Sequence, residues 1–170
     1  MGKNVRFVGL PIITMTRETS LAIGEGSLLC SSTRGNALGI DHPVVLRTWL
    51  PGARLSIGSD VGISGASICA SLSIEIGDGC LIGANAVIID SDMHPARGPD
   101  RRYGPHPEPR PSDRVLIGNN VFIGTGAIVL KGSTIGSNAT IGAGAVVAGE
   151  VPQGALAVGN PFSILRVTAD

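Results

Sequence analysis

The sequence predicts an all-β fold, a parallel β-helix, on three observations. A large aliphatic residue returns every six positions from Ile117 to Val147. Three places after most of these stands a residue that tolerates a sharp corner, such as Asn120 or Gly126. Glycine makes up 25 of the 170 residues and aromatics only 3%, which suits a narrow aliphatic interior. Each six-residue unit is therefore a short strand and a corner, and neighbouring coils must complete its core.

Three such units close a triangular coil of eighteen residues, so residues eighteen apart in sequence should stack on each other. The pairs predicted to stack are Ile117 with Ile135, Ile123 with Ile141, and Val129 with Val147. Their spacing is that of adjacent strands. Parallel crossovers are generally right-handed, and the spacing alone does not decide the hand of the coil.

The repeat divides the chain, which we expect to be a single β-helix domain over 1–170. One clear unit, Ile23 to Ser27, precedes a break in phase. A later slip of one residue before Ile76 is a tolerable bulge. The predicted segments are irregular early coils over 1–56, regular coils over 57–89, a protruding loop over 90–114, regular coils over 115–158 and a C-terminal tail over 159–170.

The segment 90–114 interrupts the repeat, which restarts after it in good order. It contains six prolines and five arginines, a composition that excludes regular strands. Long loops inside compact domains are usually functional or disordered. The prolines favour an ordered loop that leaves the coil and returns to it.

Composition excludes several classes of protein. The 13 basic and 13 acidic residues cancel without runs of one sign, which disfavours binding to nucleic acid or to an anionic membrane surface. No apolar stretch is long enough for a membrane span, and residues 1–20 lack the features of a signal peptide. We therefore expect a cytoplasmic protein. The three cysteines show no metal-ligand pairing, and Cys80 occupies a small inward position typical of a buried structural thiol.

The chain resembles the hexapeptide-repeat acyltransferases. The matching stretches are 117–124 (IGNNVFIG), 130–136 (LKGSTIG) and 159–161 (GNP). The resemblance implies a left-handed parallel β-helix, a homotrimer and an acyl-coenzyme A donor. It also implies that acetyl-CoA is a co-substrate and that no metal is needed.

The same resemblance implies that His94 is the catalytic residue, because members of the family carry their catalytic histidine at the start of such a loop. An alcohol is a poor nucleophile until a base takes its proton, and the unperturbed pKa of histidine suits that task. Asp92 is expected to orient the imidazole, although a backbone carbonyl can serve instead. Asp90 is a weaker candidate for that role.

Donor-binding residues follow by position from the sugar O-acetyltransferases of the family. Thr125 and Ala143 match contact positions, and Arg166 matches a basic residue near the nucleotide end of coenzyme A. Relatives often carry Thr-Lys where this chain has Ala148-Gly149. Lys131 or Arg166 is therefore expected to replace the missing phosphate partner.

The acceptor site departs from that of the maltose and galactoside acetyltransferases. They use an asparagine about thirty residues before the histidine, where this chain has Ser64. We expect Ser64 and the loop arginines Arg97, Arg101 and Arg102 to bind the acceptor, because guanidinium groups donate several hydrogen bonds each.

The sequence therefore predicts an acetyl-CoA-dependent O-acetyltransferase that acts on a hydroxyl of a sugar or nucleotide sugar, in surface polysaccharide biosynthesis. One alternative is a structural or assembly β-helix without catalysis. Another is an acetyltransferase for a small acceptor such as serine, disfavoured because the helical N-terminal domain of serine acetyltransferases is missing. A γ-carbonic anhydrase needs three histidine ligands around zinc, and the spacing of the three histidines does not support one.

Overall fold

The computed structural model describes residues 1–99 and 101–167, and the chain forms a left-handed parallel β-helix. The strands are, in chain order, β1 (Arg6–Val8), β2 (Ile12–Met15), β3 (Ser20–Ile23), β4 (Leu28–Cys30), β5 (Val45–Thr48), β6 (Arg54–Ile57), β7 (Gly62–Ser64), β8 (Ser67–Ala70), β9 (Ser73–Ile76), β10 (Leu81–Ile82), β11 (Val87–Ile89), β12 (Val115–Ile117), β13 (Phe122–Ile123), β14 (Ile128–Val129), β15 (Thr134–Ile135), β16 (Thr140–Ile141), β17 (Val146–Val147), β18 (Glu150–Val151), β19 (Ala155–Val158) and β20 (Ser163–Val167). Two short 3-10 helices cover Thr33–Gly35 and Pro111–Asp113.

From β1 to β19 every third strand belongs to the same sheet, so the three sheets form the faces of a prism, and β20 pairs with β19 at the end of one of them. Face A holds the strands in the order β1-β4-β7-β10-β13-β16-β19-β20, face B holds β17-β14-β11-β8-β5-β2, and face C holds β18-β15-β12-β9-β6-β3. All the pairings are parallel except that of β19 with β20. The three faces meet at three corners, which we call the A–B, B–C and C–A corners.

The interior is three columns of stacked aliphatic side chains, as the repeat predicts. Ile117 pairs with Ile135, Ile123 with Ile141 and Val129 with Val147, so the stacking of residues eighteen apart is confirmed. The column of face C runs from Ile23 through Ile57, Ile76, Ile117 and Ile135 to Val151. All six of these side chains are buried. Burial of this stripe supplies the main favourable term of folding, because no coil covers its own core.

The first 56 residues build two coils in register with the rest of the prism. Their core side chains, such as Leu29 and Leu55, are fully buried. The phase of the repeat is lost because residues 31–44, including the first 3-10 helix, are inserted between β4 and β5. That insertion lies at the A–B corner.

The outer surfaces of the three faces differ in polarity. The outward column of face A includes Leu28, Leu81 and Phe122, and that of face B includes Val87, Ile128 and Val146. The corresponding positions of face C are mostly polar: Ser56, Glu75, Leu116, Thr134 and Glu150. Two faces therefore present apolar stripes, and the third faces solvent with charged and hydroxyl groups.

Within residues 1–99 and 101–167, no helix could span a membrane. Neither of their helices has the length or apolar character that a crossing requires.

Candidate active site

The loop over 90–114 leaves the prism after β11 on face B and returns at β12 on face C, so it projects from the B–C corner. Its two ends are fixed to the prism by hydrogen bonds of Asp90 and Asp113. Asp113 closes the second 3-10 helix by accepting the backbone N–H of Arg110 at 2.8 Å, and its own carbonyl accepts the N–H of Gly132 at 2.9 Å. The loop is therefore held at its base on both sides.

Asp90 fixes the start of the loop, and both oxygens of its carboxylate accept backbone N–H groups. Its buried carboxylate accepts backbone N–H groups of Ser71 at 2.6 Å and of Leu72 and Ser73 at 2.8 Å each. Burial raises the pKa of Asp90, and the three backbone donors act in the opposite direction. The residue braces the turn between β8 and β9, which places the loop start against face B.

We expect Asp90→Asn to lower the free energy of unfolding by about 2–3 kcal/mol. The amide keeps the volume but turns an N–H₂ donor toward a backbone N–H, which leaves buried donors unsatisfied. Chemical denaturation measures the change. Asp41→Asn, at an exposed position, is the matched control. Equal stability of the two variants would show that Asp90 does not hold the turn.

His94 lies at the base of the loop and lines a cavity of about 260 Å³ together with Arg47, Trp49, Met93 and His106. Met93 adopts a φ of 59°, and the N–H of His94 donates to the carbonyl of Asp92 at 2.6 Å. This tight turn directs the histidine away from the strand that precedes it. Within the described residues, the imidazole of His94 has no hydrogen-bond partner. We call this space the histidine cavity.

Asp92 contacts a different partner from the one expected. Its carboxylate accepts a hydrogen bond from Nζ of Lys131 at 2.5 Å. Lys131 follows β14 on face B, which brings it to the B–C corner beside the loop. The carboxylate of Asp92 is therefore paired with Lys131 and, in the part of the chain that the structure describes, makes no hydrogen bond to the imidazole of His94. Its role in orienting that imidazole stays a prediction.

A second, larger cleft of about 590 Å³ lies between the start of the loop and its returning proline-rich part. Asp92 and Lys131 line it, together with Glu108 and Arg110. His106 borders both this loop cleft and the histidine cavity. The histidine cavity and the loop cleft are therefore adjacent, with the imidazole of His106 between them.

The expected donor contacts fall at two different corners. Thr125 and Ala143 follow β13 and β16 of face A, and they stack in consecutive coils because the N–H of Gly144 donates to the carbonyl of Thr125 at 2.9 Å. They lie at the A–B corner, whereas Lys131 lies at the B–C corner. The backbone of Arg166 pairs with Leu156, and its side chain lies outside the described part of the structure. One chain therefore does not bring Thr125 and Lys131 to the same place.

The expected acceptor residues are not brought to His94. Arg97, Arg101 and Arg102 are exposed in the loop and line neither space around it, and Arg102 lies over the ring of Tyr103 at 5.5 Å. Ser64 faces outward on face A. Their acceptor roles stay predictions without a supporting contact.

Three residues that the sequence analysis missed surround His94 instead. Arg47 and Trp49 come from β5 and its end, more than forty positions earlier, and His106 comes from the far side of the loop. Only the tertiary fold brings them together. The single tryptophan of the chain was the available signal, because an exposed tryptophan in an aromatic-poor protein marks a binding surface.

The cysteines provide no nucleophile at the site. Burial, with a smaller contribution from the charge of Asp90, raises the pKa of Cys69 to about 11, and Arg47 acts in the opposite direction. The thiol is therefore protonated at neutral pH and unreactive. Cys80 is buried in the core, as predicted.

Within the described residues, no group of three or more histidine, cysteine or acidic residues is arranged to hold a metal ion.

Comparisons with known proteins agree with the repeat and the fold. Residues 114–149 match the bacterial transferase hexapeptide (six repeats) family, and residues 54–89 match the hexapeptide repeat of succinyl-transferase. Nodulation protein L of Rhizobium meliloti (strain 1021) is 41% identical over 114 residues, which cover 66% of this chain and 60% of that protein.

Solved structures extend the match to most of the chain. Galactoside acetyltransferase in complex with coenzyme A is 26% identical with a TM-score of 0.55, over 75% of this chain and 56% of that one. The N-acyltransferase AntD from Bacillus cereus, in complex with dTDP and coenzyme A, is 17% identical with a TM-score of 0.61, over 97% and 83%; this likeness concerns the fold alone. The chain thus spans little more than half the length of nodulation protein L and of galactoside acetyltransferase. Two matched blocks of six-residue repeats on a parallel β-helix thus make the chain similar to the hexapeptide-repeat transferases of bacteria.

Proposed function

We propose that this protein is an acetyl-CoA-dependent O-acetyltransferase that acts on a hydroxyl of a sugar or activated sugar in surface polysaccharide biosynthesis. The observation that carries the proposal is the position of His94, at the base of the loop and in a cavity with two further polar side chains. The likeness to galactoside acetyltransferase supports a sugar acceptor and a coenzyme A donor. We also propose a cytoplasmic location, because acetyl-CoA is made there.

In this mechanism, His94 acts as the general base. Its neutral imidazole takes the proton of the acceptor hydroxyl as the oxygen attacks the thioester carbonyl of acetyl-CoA. The tetrahedral intermediate collapses with cleavage of the carbon–sulfur bond, and the imidazolium returns its proton to the departing thiolate. The products are an acetyl ester and coenzyme A. Arg47 does not take part in proton transfer, because a guanidinium stays charged at all physiological pH values.

The donor site is proposed to lie between two copies of the chain. On one chain, Thr125 and Ala143 occupy the A–B corner, whereas His94 and Lys131 occupy the B–C corner at the opposite edge of face B. A thioester bound along the first corner does not meet the histidine at the second. Packing the A–B corner of one copy against the B–C corner of the next would bring donor and base together.

The polarity of the faces supports a homotrimer built in this way. Faces A and B carry apolar stripes, and face C is polar. Contact between the A–B corner of one copy and the part of face B next to the B–C corner of the following copy is a heterologous interface, which forms a closed ring when the rotation permits. Three prisms arranged around an axis would cover both apolar stripes and leave face C in solvent.

Phe122→Asp is expected to convert the trimer to monomers. The side chain of Phe122 is 47% exposed in the single chain, so the substitution spares the core but places a carboxylate in the proposed interface. Sedimentation at micromolar concentration measures the mass. Leu116→Asp on face C, at 38% exposure, is the matched control and should stay trimeric. A wild-type protein that sediments as a monomer would contradict the proposal.

The transferase activity is tested by release of coenzyme A. Wild-type protein is incubated with acetyl-CoA and a panel of sugars, sugar acids, sugar phosphates and serine, and free thiol is followed with a chromogenic disulfide. We expect thiol release that depends on a sugar and exceeds slow hydrolysis without acceptor. Release with serine alone would favour the small-acceptor alternative, and no release with any compound would favour a β-helix without catalysis.

A further inference from the structure

The histidine cavity contains a guanidinium that the protein itself does not neutralise. Arg47 extends outward from β5 beside Cys69 of β8, and its Nε is buried without a hydrogen-bond partner. Within the described residues Arg47 forms no ion pair, since the carboxylate oxygens of the nearby Asp90 accept backbone N–H groups. Buried donors without partners are rare and costly. Arg47 is therefore poised to bind an anion that enters the cavity.

The aromatic wall of the cavity is Trp49, whose ring is 42% exposed and lies 5.8 Å from the guanidinium carbon of Arg47. This stacking orients the fork of the guanidinium. An exposed indole also offers a flat apolar surface that suits the C–H face of a sugar ring. Trp49 therefore offers an apolar surface, and Arg47 offers a positive charge next to it.

His106 adds a hydrogen-bond acceptor to the same cavity. Its Nδ1 lies 2.9 Å from the carbonyl of Pro107, and because a carbonyl only accepts, Nδ1 must carry the proton. In the neutral ring Nε2 is then an acceptor. That atom is buried and has no hydrogen-bond partner, so it is available to a hydroxyl of a bound sugar.

We propose that the histidine cavity is the acceptor site and that it selects a sugar ring that carries a carboxylate or phosphate. Arg47 binds the anionic group, Trp49 contacts the ring and Nε2 of His106 accepts a hydrogen bond from one hydroxyl. A second hydroxyl then faces His94. This inference rests on the proposed transferase function and names its substrate class as acidic sugars or sugar phosphates.

The size of the cavity agrees with a single ring. Its volume of about 260 Å³ is slightly below the range of about 300–1,000 Å³ for sites that bind drug-sized ligands. Any larger part of an activated sugar would extend past His106 into the loop cleft of about 590 Å³. Lys131 lines that cleft and would meet such an extension.

Trp49 makes a direct binding test possible, because it is the only tryptophan in the chain. Its fluorescence is titrated with glucose, glucuronate and glucose 6-phosphate, which share one ring and differ in charge. We expect the wild type to bind at least one anionic sugar about tenfold or more tightly than glucose, the usual effect of a charge-assisted hydrogen bond. The anion that binds more tightly identifies the group as carboxylate or phosphate.

Substitution of Arg47 assigns the preference to its side chain. Arg47→Met should bind all three sugars with similar dissociation constants, and Arg47→Lys, which keeps the charge without the fork, should retain part of the preference. Arg54→Met is the matched control, because Arg54 is an exposed outward residue on the next strand of the same coil. It should behave as the wild type.

Two results would overturn the inference: equal affinity of the wild type for charged and neutral sugars, or an anion preference that survives in Arg47→Met. Failure of the transferase proposal appears differently. If Arg47-dependent binding of anionic sugars is present but coenzyme A is not released, the binding site stands and the transferase proposal fails. If coenzyme A is released with neutral sugars and Arg47→Met is unaffected, the transferase proposal stands and the acidic acceptor class is wrong.

Discussion

His94→Ala should lower kcat by about 10²- to 10⁴-fold, the range that loss of a general base produces. The residue is exposed at the mouth of its cavity, so its removal should leave the fold intact. Acetyl-CoA affinity should change little, because the imidazole acts on the acceptor hydroxyl. Steady-state thiol release gives kcat, and calorimetry with coenzyme A measures donor binding separately.

The other two histidines serve as controls for this variant. His42→Ala should keep near-normal kcat, because the ring contacts Ser67 and Pro43 outside the cavity. His106→Asn should act mainly on the KM for the acceptor, since His106 is proposed to bind a hydroxyl. A large loss of kcat in His106→Asn, together with full activity in His94→Ala, would assign the role of general base to His106 instead.

Ile135→Asp should destabilise the protein by more than about 4 kcal/mol, or prevent it from folding. Ile135 is 1% exposed and is stacked between Ile117 and Val151 in the column of face C. A carboxylate there has only aliphatic neighbours above and below it. Thermal unfolding followed by circular dichroism measures the loss.

The matched control is Thr134→Asp, one residue earlier on the same strand and exposed to solvent. Strand residues alternate between the two sides of a sheet, so the same new charge at this position reaches water. We expect a change within about 0.5 kcal/mol, as for other surface substitutions. Similar unfolding temperatures for both aspartate variants would mean that the inward face of the repeat is assigned wrongly.

The regular coils were predictable because their periodicity is local. A six-residue spacing fixes which side chain points inward, and three units per coil fix the pairing of Ile117 with Ile135. The early coils were less readable, since the insertion over 31–44 shifts the phase between β4 and β5. The strands on either side of it nevertheless align with later coils, as Leu29 does with Ile63.

The candidate site was only partly predictable, because its members come from separate parts of the chain. His94 could be singled out by its place between the coil and the loop. Arg47 joins it only because face B stacks β5, β8 and β11 side by side. The sequence shows neither this stacking nor the fold of the loop, which brings His106 back to the cavity.

The side chain of Asp92 and the loop arginines have different surroundings from those expected. The composition of the loop favours its arginines as ligands for a sugar, but Arg97, Arg101 and Arg102 are exposed to solvent. Asp92, two residues before His94, forms an ion pair with Lys131. Such pairings depend on which corner each residue occupies, which follows from the strand order rather than from distance in sequence.

The most direct test of O-acetyl transfer is the chemical nature of the product. Wild-type protein is incubated with labelled acetyl-CoA and either glucuronate, glucose 6-phosphate or glucosamine, and each product is examined by mass spectrometry before and after mild alkali. We predict a mass increase of one acetyl group on an acidic sugar, removed by alkali as an ester is and absent with His94→Ala. An alkali-stable amide on glucosamine as the sole product, or no acetylated sugar at all, would contradict O-acetyl transfer by this protein.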